Sequence, residues 1–314
     1  MLAEYGIDVE VMDPTPRPLN PFAGWHSLYQ SFDPYRALKI MLRRRRVDLV
    51  IATNDGSALL LVLLRRLFRF KVPIVIWDLC PTPDWRLRDR LQDYVVPRVD
   101  GILAIHASQA PYIARRWGPG IPVSLSGYSI DTDFYHPRYH EPPEHIVAVG
   151  DDAERDFPTL LAAMEGVPAE LVIRTSQTLC PRGPVRLIRE RLDPVAFRSL
   201  YARSRFVVLP LTPHPLNASG VTTLGEAFAM GKALIVSASD SVLDFLLPDE
   251  NCLVVPAADA GALRAAIERL LREPETCERL GRNARRYAEE HFAKPAFVRQ
   301  FAAALRLYAR RRNG

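Results

Sequence analysis

Short apolar runs alternate along this chain with longer segments in which apolar residues recur every three or four positions. The short runs predict buried strands, and the longer segments predict helices that bury one face. The predicted strands are Asp8–Met12, Leu49–Ala52, Ile74–Trp77, Gly101–Ile105, His145–Val149, Glu170–Ile173, Phe206–Leu209, Ala233–Val236 and Cys252–Val255. The predicted helices include Ala58–Phe68, Ala107–Trp117, Phe157–Glu165, Pro194–Ala202, Gly261–Arg272 and Pro274–His291. This alternation predicts parallel sheets built from βαβ units.

The Pro-rich segment Asp131–Pro143 interrupts the alternation and is the best candidate for a linker. The predicted fold class is therefore α/β, with two Rossmann-like domains whose parallel sheets face each other across a cleft. We expect the ligand site in that cleft, outside the carboxyl ends of the strands. The predicted division is an N-terminal domain over residues 1–140, a C-terminal domain over 141–292 and a final helix over 293–314.

The N-terminal residues do not begin as a Rossmann-like domain should. The segment MLAEYG has the pattern of a helix end with Gly6 as its cap, and IDVEVMD has the pattern of the second strand. In the strand order 3-2-1-4-5-6 the first strand is central. We therefore expect the first strand and helix of this domain to be missing, which leaves a gap or two unpaired inner edges.

Composition and charge restrict the class of protein further. Hydrophobic residues make up 48% of the chain and charged residues 25%, as in a globular protein. No apolar run reaches the roughly 18–20 residues that span a bilayer. The four cysteines are scattered without metal-ligand spacing, which favours a reduced cytoplasm.

The net charge of +5 comes largely from local clusters, Arg43–Arg46 and four arginines after residue 305. One interpretation is that these are solvated helix ends, where cations complement the helix dipole. Another is peripheral contact with anionic lipid at the inner face of the plasma membrane. Nucleic acid is not expected as a partner, because no aromatic platform or recognition-helix pattern accompanies the charge.

The most informative segment is Asn217–Gly231, with the sequence NASGVTTLGEAFAMG. A loop of small residues runs into a helix, and the unpaired N–H groups at a helix amino end suit a phosphate. Glu226 lies four residues after Thr222, on the same face and roughly 6 Å further along. That separation fits the distance from a nucleotide's diphosphate to its ribose, whose two hydroxyls a carboxylate can bind.

These residues resemble the donor-binding segment of the retaining GT-B glycosyltransferases with an E-x7-E signature, the glycosyltransferase family 4-like or group 1 enzymes. Their common variant reads S-G-(I/L/V)-T-x-L-x-E-A-(M/F)-A-x-G, and Ser219–Gly231 matches it at nearly every position. Weaker similarity extends over most of the chain, including a hinge-like segment IDTDFYHP. The resemblance implies the GT-B fold and a nucleoside-diphosphate sugar as the donor. It also implies that the final helix, over 293–314, crosses back to the first domain.

The resemblance also assigns residues to the donor. Arg155 stands where the family has a basic residue that contacts the diphosphate, and Asp151 replaces the family's companion Arg, for which Arg174 is a candidate substitute. Glu226 is expected to bind the ribose. The phosphate cradle is expected from Ser219 and the backbone amides of Gly220, Val221 and Thr222, with Asn217 or Ser219 as the helix N-cap.

Two family positions are changed. Ala218 occupies the position of the first Glu of E-x7-E, and Asn217 is a candidate for the sugar-contacting role. The frequent His-Asp pair of the first domain is replaced by Trp77 and Asp78. Asp78 is a candidate base or acceptor-binding residue, and the remaining candidates for the acceptor side are Asp84, Trp85 and His106.

The sequence thus predicts a retaining glycosyltransferase that needs no metal and no cofactor besides its nucleotide-sugar co-substrate. The acceptor is expected to be a saccharide or a lipid-linked saccharide, in the synthesis of a cell-surface polysaccharide. The main alternative is a non-catalytic or degenerate nucleotide-sugar-binding subunit, which the changed positions motivate. An epimerase of the same architecture is disfavoured, since the paired acidic residues for that chemistry are absent.

Overall fold

The computed structural model describes residues 1–13, 33–79, 86–213 and 218–310. The chain divides into two compact units: unit 1 is Met1–Gly127 with Phe297–Gly314, and unit 2 is Tyr128–Ala296. Within the described residues, no helix combines the length and the apolar character needed to cross a membrane.

The described residues contain ten strands and ten α-helices. The strands are β1 (Val50–Ala52), β2 (Ile74–Trp77), β3 (Gly101–Ala104), β4 (Val123–Leu125), β5 (His145–Val149), β6 (Leu171–Arg174), β7 (Val185–Ile188), β8 (Ser204–Leu209), β9 (Leu234–Ser237) and β10 (Leu253–Val255). The helices are α1 (Pro34–Leu42), α2 (Asp55–Phe68), α3 (Arg86–Val95), α4 (Gln109–Trp117), α5 (Phe157–Met164), α6 (Pro194–Ala202), α7 (Val221–Ala229), α8 (Ala260–Arg272), α9 (Pro274–Tyr287) and α10 (Lys294–Arg310).

Unit 1 contains a parallel sheet of four strands in the order β1-β2-β3-β4. Its apolar side chains form two clusters, one with residues of α1, α2 and α4, and one with the C-terminal helix α10. Gly101 shows how closely α10 packs, because a Cβ at this position would lie 2.0 Å from the ring of Tyr308. Helices therefore cover both faces of the sheet, as its apolar strands require.

The N-terminal segment differs from its prediction. Leu2–Tyr5 forms a short 3₁₀ helix that ends at Gly6, whose φ of +70° confirms the predicted left-handed cap. The predicted strand Asp8–Met12 is wrong, since residues 7–13 contain no strand. Among the described residues β1 pairs only with β2, and a cavity of about 970 Å³ lies between its open edge and this segment. An alternating pattern forms a strand only where a neighbouring strand provides hydrogen-bond partners for its backbone.

Unit 2 contains a parallel sheet of six strands in the order β10-β9-β8-β5-β6-β7. Counted from β5, this is the doubly wound order 3-2-1-4-5-6. The strands β5 and β8 are neighbours at its centre, and the chain leaves them toward opposite edges of the sheet. Their apolar residues and those of α5 and α8 form one core, in which Phe157, Ile146 and Val208 are fully buried.

Candidate active site

The candidate site lies at the carboxyl ends of β5 and β8, where the strand order of unit 2 reverses direction. Ligands of doubly wound sheets bind at this position, because the loops that follow the two central strands separate there. The loop after β5 carries Asp151, Asp152 and Arg155. The segment after β8 leads to Ser219 and the amino end of α7. The structure thus brings the predicted diphosphate residues together within one unit.

Arg155 is held at the centre of this arrangement and is only 6% exposed. Its Nε donates to the carbonyl of Val149 at 2.9 Å, and its Nη1 and Nη2 donate to the hydroxyls of Ser219 at 3.1 Å and Thr223 at 3.2 Å. Gly150, with φ of +147°, makes room for it, since a Cβ there would lie 2.0 Å from the Arg155 Nε. The guanidinium is therefore fixed beneath the amino end of α7.

The helix α7 begins without a side-chain cap. Its N-cap is Gly220, at φ of +88°, so the prediction that Asn217 or Ser219 caps the helix is wrong. The Ser219 hydroxyl instead donates to Asp152 at 2.6 Å and accepts from Arg155. The amide of Val221 donates weakly to the carbonyl of Ala218 at 3.3 Å. The described residues provide no acceptor for the amides of Gly220 and Thr222, which remain open to an anion.

Glu226 lies one turn further along α7 and is 8% exposed. The Tyr135 hydroxyl donates to its Oε1 and the Tyr201 hydroxyl donates to its Oε2, each at 2.9 Å. Burial raises the pKa of the Glu226 carboxyl, and the two phenol hydrogen bonds counteract part of that rise. An ionised carboxylate has about four lone-pair sites, so two remain for a diol.

Arg174 does not approach the cradle as a free cation. Its guanidinium forms an ion pair with Asp151, at the position where the family's companion Arg is expected. Asp151 also accepts from the amide of Ser176 at 2.6 Å. Burial raises the pKa of its carboxyl, but the hydrogen bonds from Ser176 and Arg174 outweigh this effect, so the pKa lies below its usual value. The formal charges of Arg155, Arg174, Asp151 and Asp152 cancel. The open amides and the dipole of α7 therefore supply the net attraction for an anion.

Two tyrosines that the sequence did not single out complete this part of the site. Tyr135 comes from the hinge-like segment and Tyr201 from the last turn of α6, and burial raises the pKa of both hydroxyls. Tyr128, two residues before the hinge-like segment, makes a short hydrogen bond with the Thr222 hydroxyl. No periodic pattern marks these positions, because they follow from tertiary packing around α7.

The described candidates for the acceptor lie in unit 1, after neighbouring strands. Asp78 follows β2 in a left-handed conformation, with φ of +57°, and burial raises the pKa of its carboxyl. Its amide donates to the carbonyl of Leu103 at 3.0 Å, which fixes it beside β3. His106 follows β3, is fully buried, and its Nδ1 lies 2.6 Å from the Ser108 hydroxyl.

Three predicted residues fall outside the described part of the chain: Asp84, Trp85 and Asn217. Their roles, like the roles of the other site residues, stay predictions. No group of three or more His, Cys, Asp or Glu side chains among the described residues is arranged to hold a metal ion. Asp131 and Asp133 have D-x-D spacing but belong to a turn, in which Asp131 accepts from backbone amides and pairs with Lys294.

Comparison of the sequence with known proteins finds matches to glycosyltransferases. Residues 189–287 match the family model described as "Glycosyl transferases group 1". A stretch of 195 residues is 28% identical to the MMP alpha-(1->4)-mannosyltransferase of Mycolicibacterium hassiacum. This match covers 55% of the chain, and the chain spans about half of that relative, 46% of its length.

Solved structures share the fold. Sucrose-phosphate synthase from Thermosynechococcus elongatus matches with a TM-score of 0.71 at 20% identity, over 86% of this chain and 76% of that chain. Anabaena HepE, solved in complex with UDP-glucose, matches with a TM-score of 0.70 at 15% identity, over 98% of this chain and 88% of that chain. At these identities the likeness establishes the two-domain α/β fold, and the roles of individual residues rest on the geometry described above.

Proposed function

We propose that this chain transfers a sugar from a nucleoside-diphosphate sugar to an acceptor hydroxyl. Its residues 189–287 match the glycosyl transferases group 1 family model, and the chain has the GT-B fold. One observation carries the proposal. At the switch point of the unit 2 sheet, buried Arg155, the open amides of α7 and the two-tyrosine clamp on Glu226 form a site with separate places for a diphosphate and a ribose.

The chemistry follows from where charge develops. When the glycosidic bond breaks, negative charge grows on the leaving nucleoside diphosphate, and donors fixed in advance stabilise it without reorganisation. Arg155 is such a donor, because four hydrogen-bond and ion-pair partners already hold its guanidinium. In a retaining reaction, the leaving phosphate takes the proton of the acceptor hydroxyl on the same face of the sugar. The protein's part is then to position the reactants and stabilise charge, without a metal ion.

The acceptor belongs, in this proposal, with unit 1. Asp78 and His106 follow adjacent parallel strands, so they emerge at the same edge of that sheet. Burial raises the pKa of the Asp78 carboxyl, and at this edge the carboxyl is a suitable hydrogen-bond partner for an acceptor hydroxyl. We propose a saccharide or lipid-linked saccharide as the acceptor, in cell-surface polysaccharide synthesis on the cytoplasmic side of the membrane.

A second candidate function is donor binding without transfer. The observation that favours it is the neutralised cradle, since Asp151 pairs with Arg174 and Asp152 with Arg155. Ala218, where the family has a sugar-contacting Glu, points the same way. A protein of this kind binds the nucleotide sugar in the same place but lacks charge stabilisation for the leaving group.

Turnover of radiolabelled UDP-, GDP- and ADP-sugars separates the two functions. A transferase releases sugar from at least one donor to water or to an added saccharide acceptor, and Glu226→Ala lowers this release by at least about tenfold through lost ribose binding. The matched control is Glu278→Ala, an exposed carboxylate on α9. Donor binding by calorimetry with no release from any donor favours the second function. Equal release by Glu226→Ala and the wild type contradicts the ribose assignment.

A further inference from the structure

One end of unit 1 carries a dense group of cations, here called the basic end. In βα units the helices run antiparallel to the strands, so α1 and α2 both finish beside the amino ends of β1 and β2. The residues that follow these two helix ends meet around a small cavity of about 180 Å³, lined by Arg44, Arg45, Phe70, Lys71 and Val72. The basic end consists of Arg44, Arg45, Arg46, Arg66, Arg69 and Lys71.

These six cations differ from their neighbours in having no carboxylate partner among the described residues. Arg43 pairs with Glu10, and Arg65 pairs with Asp100. None of the six takes part in a described ion pair, and the one described side-chain contact is from Arg44 to the carbonyl of Met41 at 3.1 Å. Cations near helix carboxyl ends complement the dipole, but this effect falls off within the last turn. The helix dipole therefore accounts for Arg66 and Arg69 better than for the cations that line the cavity.

Exposed apolar side chains accompany the cations, and the dipole does not explain them. Leu42 is 68% exposed at the end of α1, and Leu67 and Phe68 are 72% and 53% exposed at the end of α2. On α1, the exposed positions Tyr35, Leu38 and Leu42 follow the i, i+3, i+7 spacing of a single helix face. An apolar face toward solvent on a helix that also buries Ala37 and Met41 needs a partner.

We propose that the basic end of unit 1 docks on a bilayer that contains anionic phospholipid. The cations contact the headgroup phosphates, with the cavity between Arg44, Arg45 and Lys71 as the strongest phosphate position. Leu42, Leu67 and Phe68 enter the boundary between headgroups and acyl chains, which is how interfacial helices bind. A nucleic acid fits the cations but leaves these apolar side chains in water. This docking is independent of the proposed sugar transfer and holds for a binding protein as well.

Sedimentation with lipid vesicles tests the proposal. We expect the full chain to bind vesicles of phosphatidylcholine with phosphatidylglycerol and not vesicles of phosphatidylcholine alone. Binding should fall between about 0.1 M and about 1 M salt, as the Debye length shrinks from about 10 to 3 Å. The charge variant is Arg45→Glu with Lys71→Glu, which removes two cations and should weaken binding by at least about 30-fold. The apolar variant, Leu67→Ser with Phe68→Ser, should weaken it by at least about tenfold.

Matched controls carry the same changes away from the basic end. Arg282→Glu with Arg286→Glu changes the net charge equally on the exposed side of α9, and Val195→Ser with Leu307→Ser removes two other exposed apolar side chains. Both controls should bind as the wild type does. All of the variants replace exposed residues, so circular dichroism should show an unchanged fold. Turnover of a soluble donor and acceptor, if present, should also be unchanged.

Several outcomes overturn the proposal. Equal binding to neutral and anionic vesicles, or no binding to either, removes the lipid assignment. Loss of binding in the controls as large as in the basic-end variants shows that overall charge, and not this surface, is responsible. Tight binding to a DNA duplex at about 0.1 M salt without vesicle binding assigns the cations to nucleic acid. Self-association that the apolar variant abolishes, without vesicle binding, assigns the surface to a second copy of the chain.

Discussion

The sheets of the two units differ at the place where a doubly wound sheet binds its ligand. In unit 2, β5 and β8 are central neighbours with strands on both sides, and the loops after them bring together Arg155 and the amino end of α7. Among the described residues of unit 1, β1 is an edge strand with a cavity of about 970 Å³ beside it. The six-stranded sheet therefore carries the fixed charged site. The shorter sheet carries open surface, at its edge and at the basic end.

The difference extends to how charge is managed. In unit 2, Arg155, Glu226 and Lys232 are each at most 8% exposed and hydrogen-bonded to neighbours within the unit. At the basic end of unit 1, the cations lack described carboxylate partners. Buried and satisfied polar groups specify one geometry, whereas exposed cations provide attraction without fixing a pose. The comparison teaches that unit 2 is built to hold one ligand and that this end of unit 1 suits a broad surface.

The largest expected effect comes from comparing the removal of one hydrogen-bonded guanidinium in each unit. Arg155→Ala should lower donor turnover by about 10²- to 10³-fold, since it removes a fixed donor to the leaving group. Arg88→Ala breaks the ion pair with Asp55 in unit 1, where the Arg88 Nε lies 3.0 Å from the carboxylate, and should lower stability without changing donor affinity. Steady-state kinetics and urea unfolding of both variants check this. Equal loss of donor affinity in both would erase the distinction between the units.

A buried cation of unit 2 should make its stability depend on pH. Burial lowers the pKa of Lys232 to about 8, from 10.5 in the unfolded chain, and its Nζ donates to the carbonyls of Ala202 and Ser204. Between these values the unfolded state binds more protons, so the free energy of unfolding should rise with pH. The expected gain from pH 7 to 9.5 is about 2 kcal/mol.

Urea unfolding of the wild type and of Lys232→Met at both pH values isolates this effect. The variant should lack the rise, although it is less stable throughout because two carbonyls lose their donor. A matched Lys294→Met change, at an exposed lysine, should keep the rise. The same pH dependence in Lys232→Met and the wild type would show that other groups are responsible.

The tyrosine clamp should have a smaller effect. The hydrogen bonds from Tyr135 and Tyr201 lower the pKa of Glu226 against the rise from burial. Tyr201→Phe therefore raises that pKa further, so donor affinity should be lost at a higher pH on the acid side. We expect about tenfold weaker binding in that range. Titration calorimetry at several pH values measures this, with Tyr287→Phe as the control in the same unit. If donor affinity depends on pH in the same way in Tyr201→Phe and Tyr287→Phe, the Tyr201 hydrogen bond does not control the ionisation of Glu226.

The smallest expected effect has the opposite sign. Asp151→Asn releases Arg174 from its ion pair and makes the cradle more positive. Because exposed ion pairs contribute roughly 0.2–1 kcal/mol, donor affinity should rise by about two- to fivefold. Asp249→Asn, which breaks the exposed pair with Arg269 elsewhere in unit 2, is the control and should leave affinity unchanged. Weaker donor binding in Asp151→Asn would show that Asp151 itself contacts the ligand.

The sequence was informative where local rules and buried periodicity agree. The strands at His145–Val149 and Leu234–Ser237 and the helix ending before Gly231 follow from apolar runs and a left-handed cap, and the GT-B fold is confirmed. The pattern of Asp8–Met12 misled, because alternation describes a strand that has partners, and this segment pairs with no strand among the described residues. Strand-like spacing is not enough without a neighbour.

Within the site, sequence reasoning reached the residues of one motif and missed those that surround it. Glu226 and Gly220 lie in a continuous helix start, so spacing alone relates them. Tyr201 and Tyr135 are 25 and 91 positions away from Glu226 and meet it only after folding. The ion pair that occupies Arg174 was equally hidden, since Asp151 lies on the loop after β5 and Arg174 is the last residue of β6. Partners set by tertiary structure decide how each charged side chain is used.

The central claim is that the amino end of α7 binds the diphosphate and Glu226 binds the ribose of one nucleotide. Titration calorimetry with a nucleoside diphosphate and its 2′-deoxy form, on the wild type and on Glu226→Gln, tests it most directly. We expect the wild type to prefer the ribose form by at least about tenfold, and we expect Glu226→Gln to bind both forms within about threefold of each other, with Glu226→Ala giving the same ratio. A preference for ribose that survives in both variants would contradict the claim.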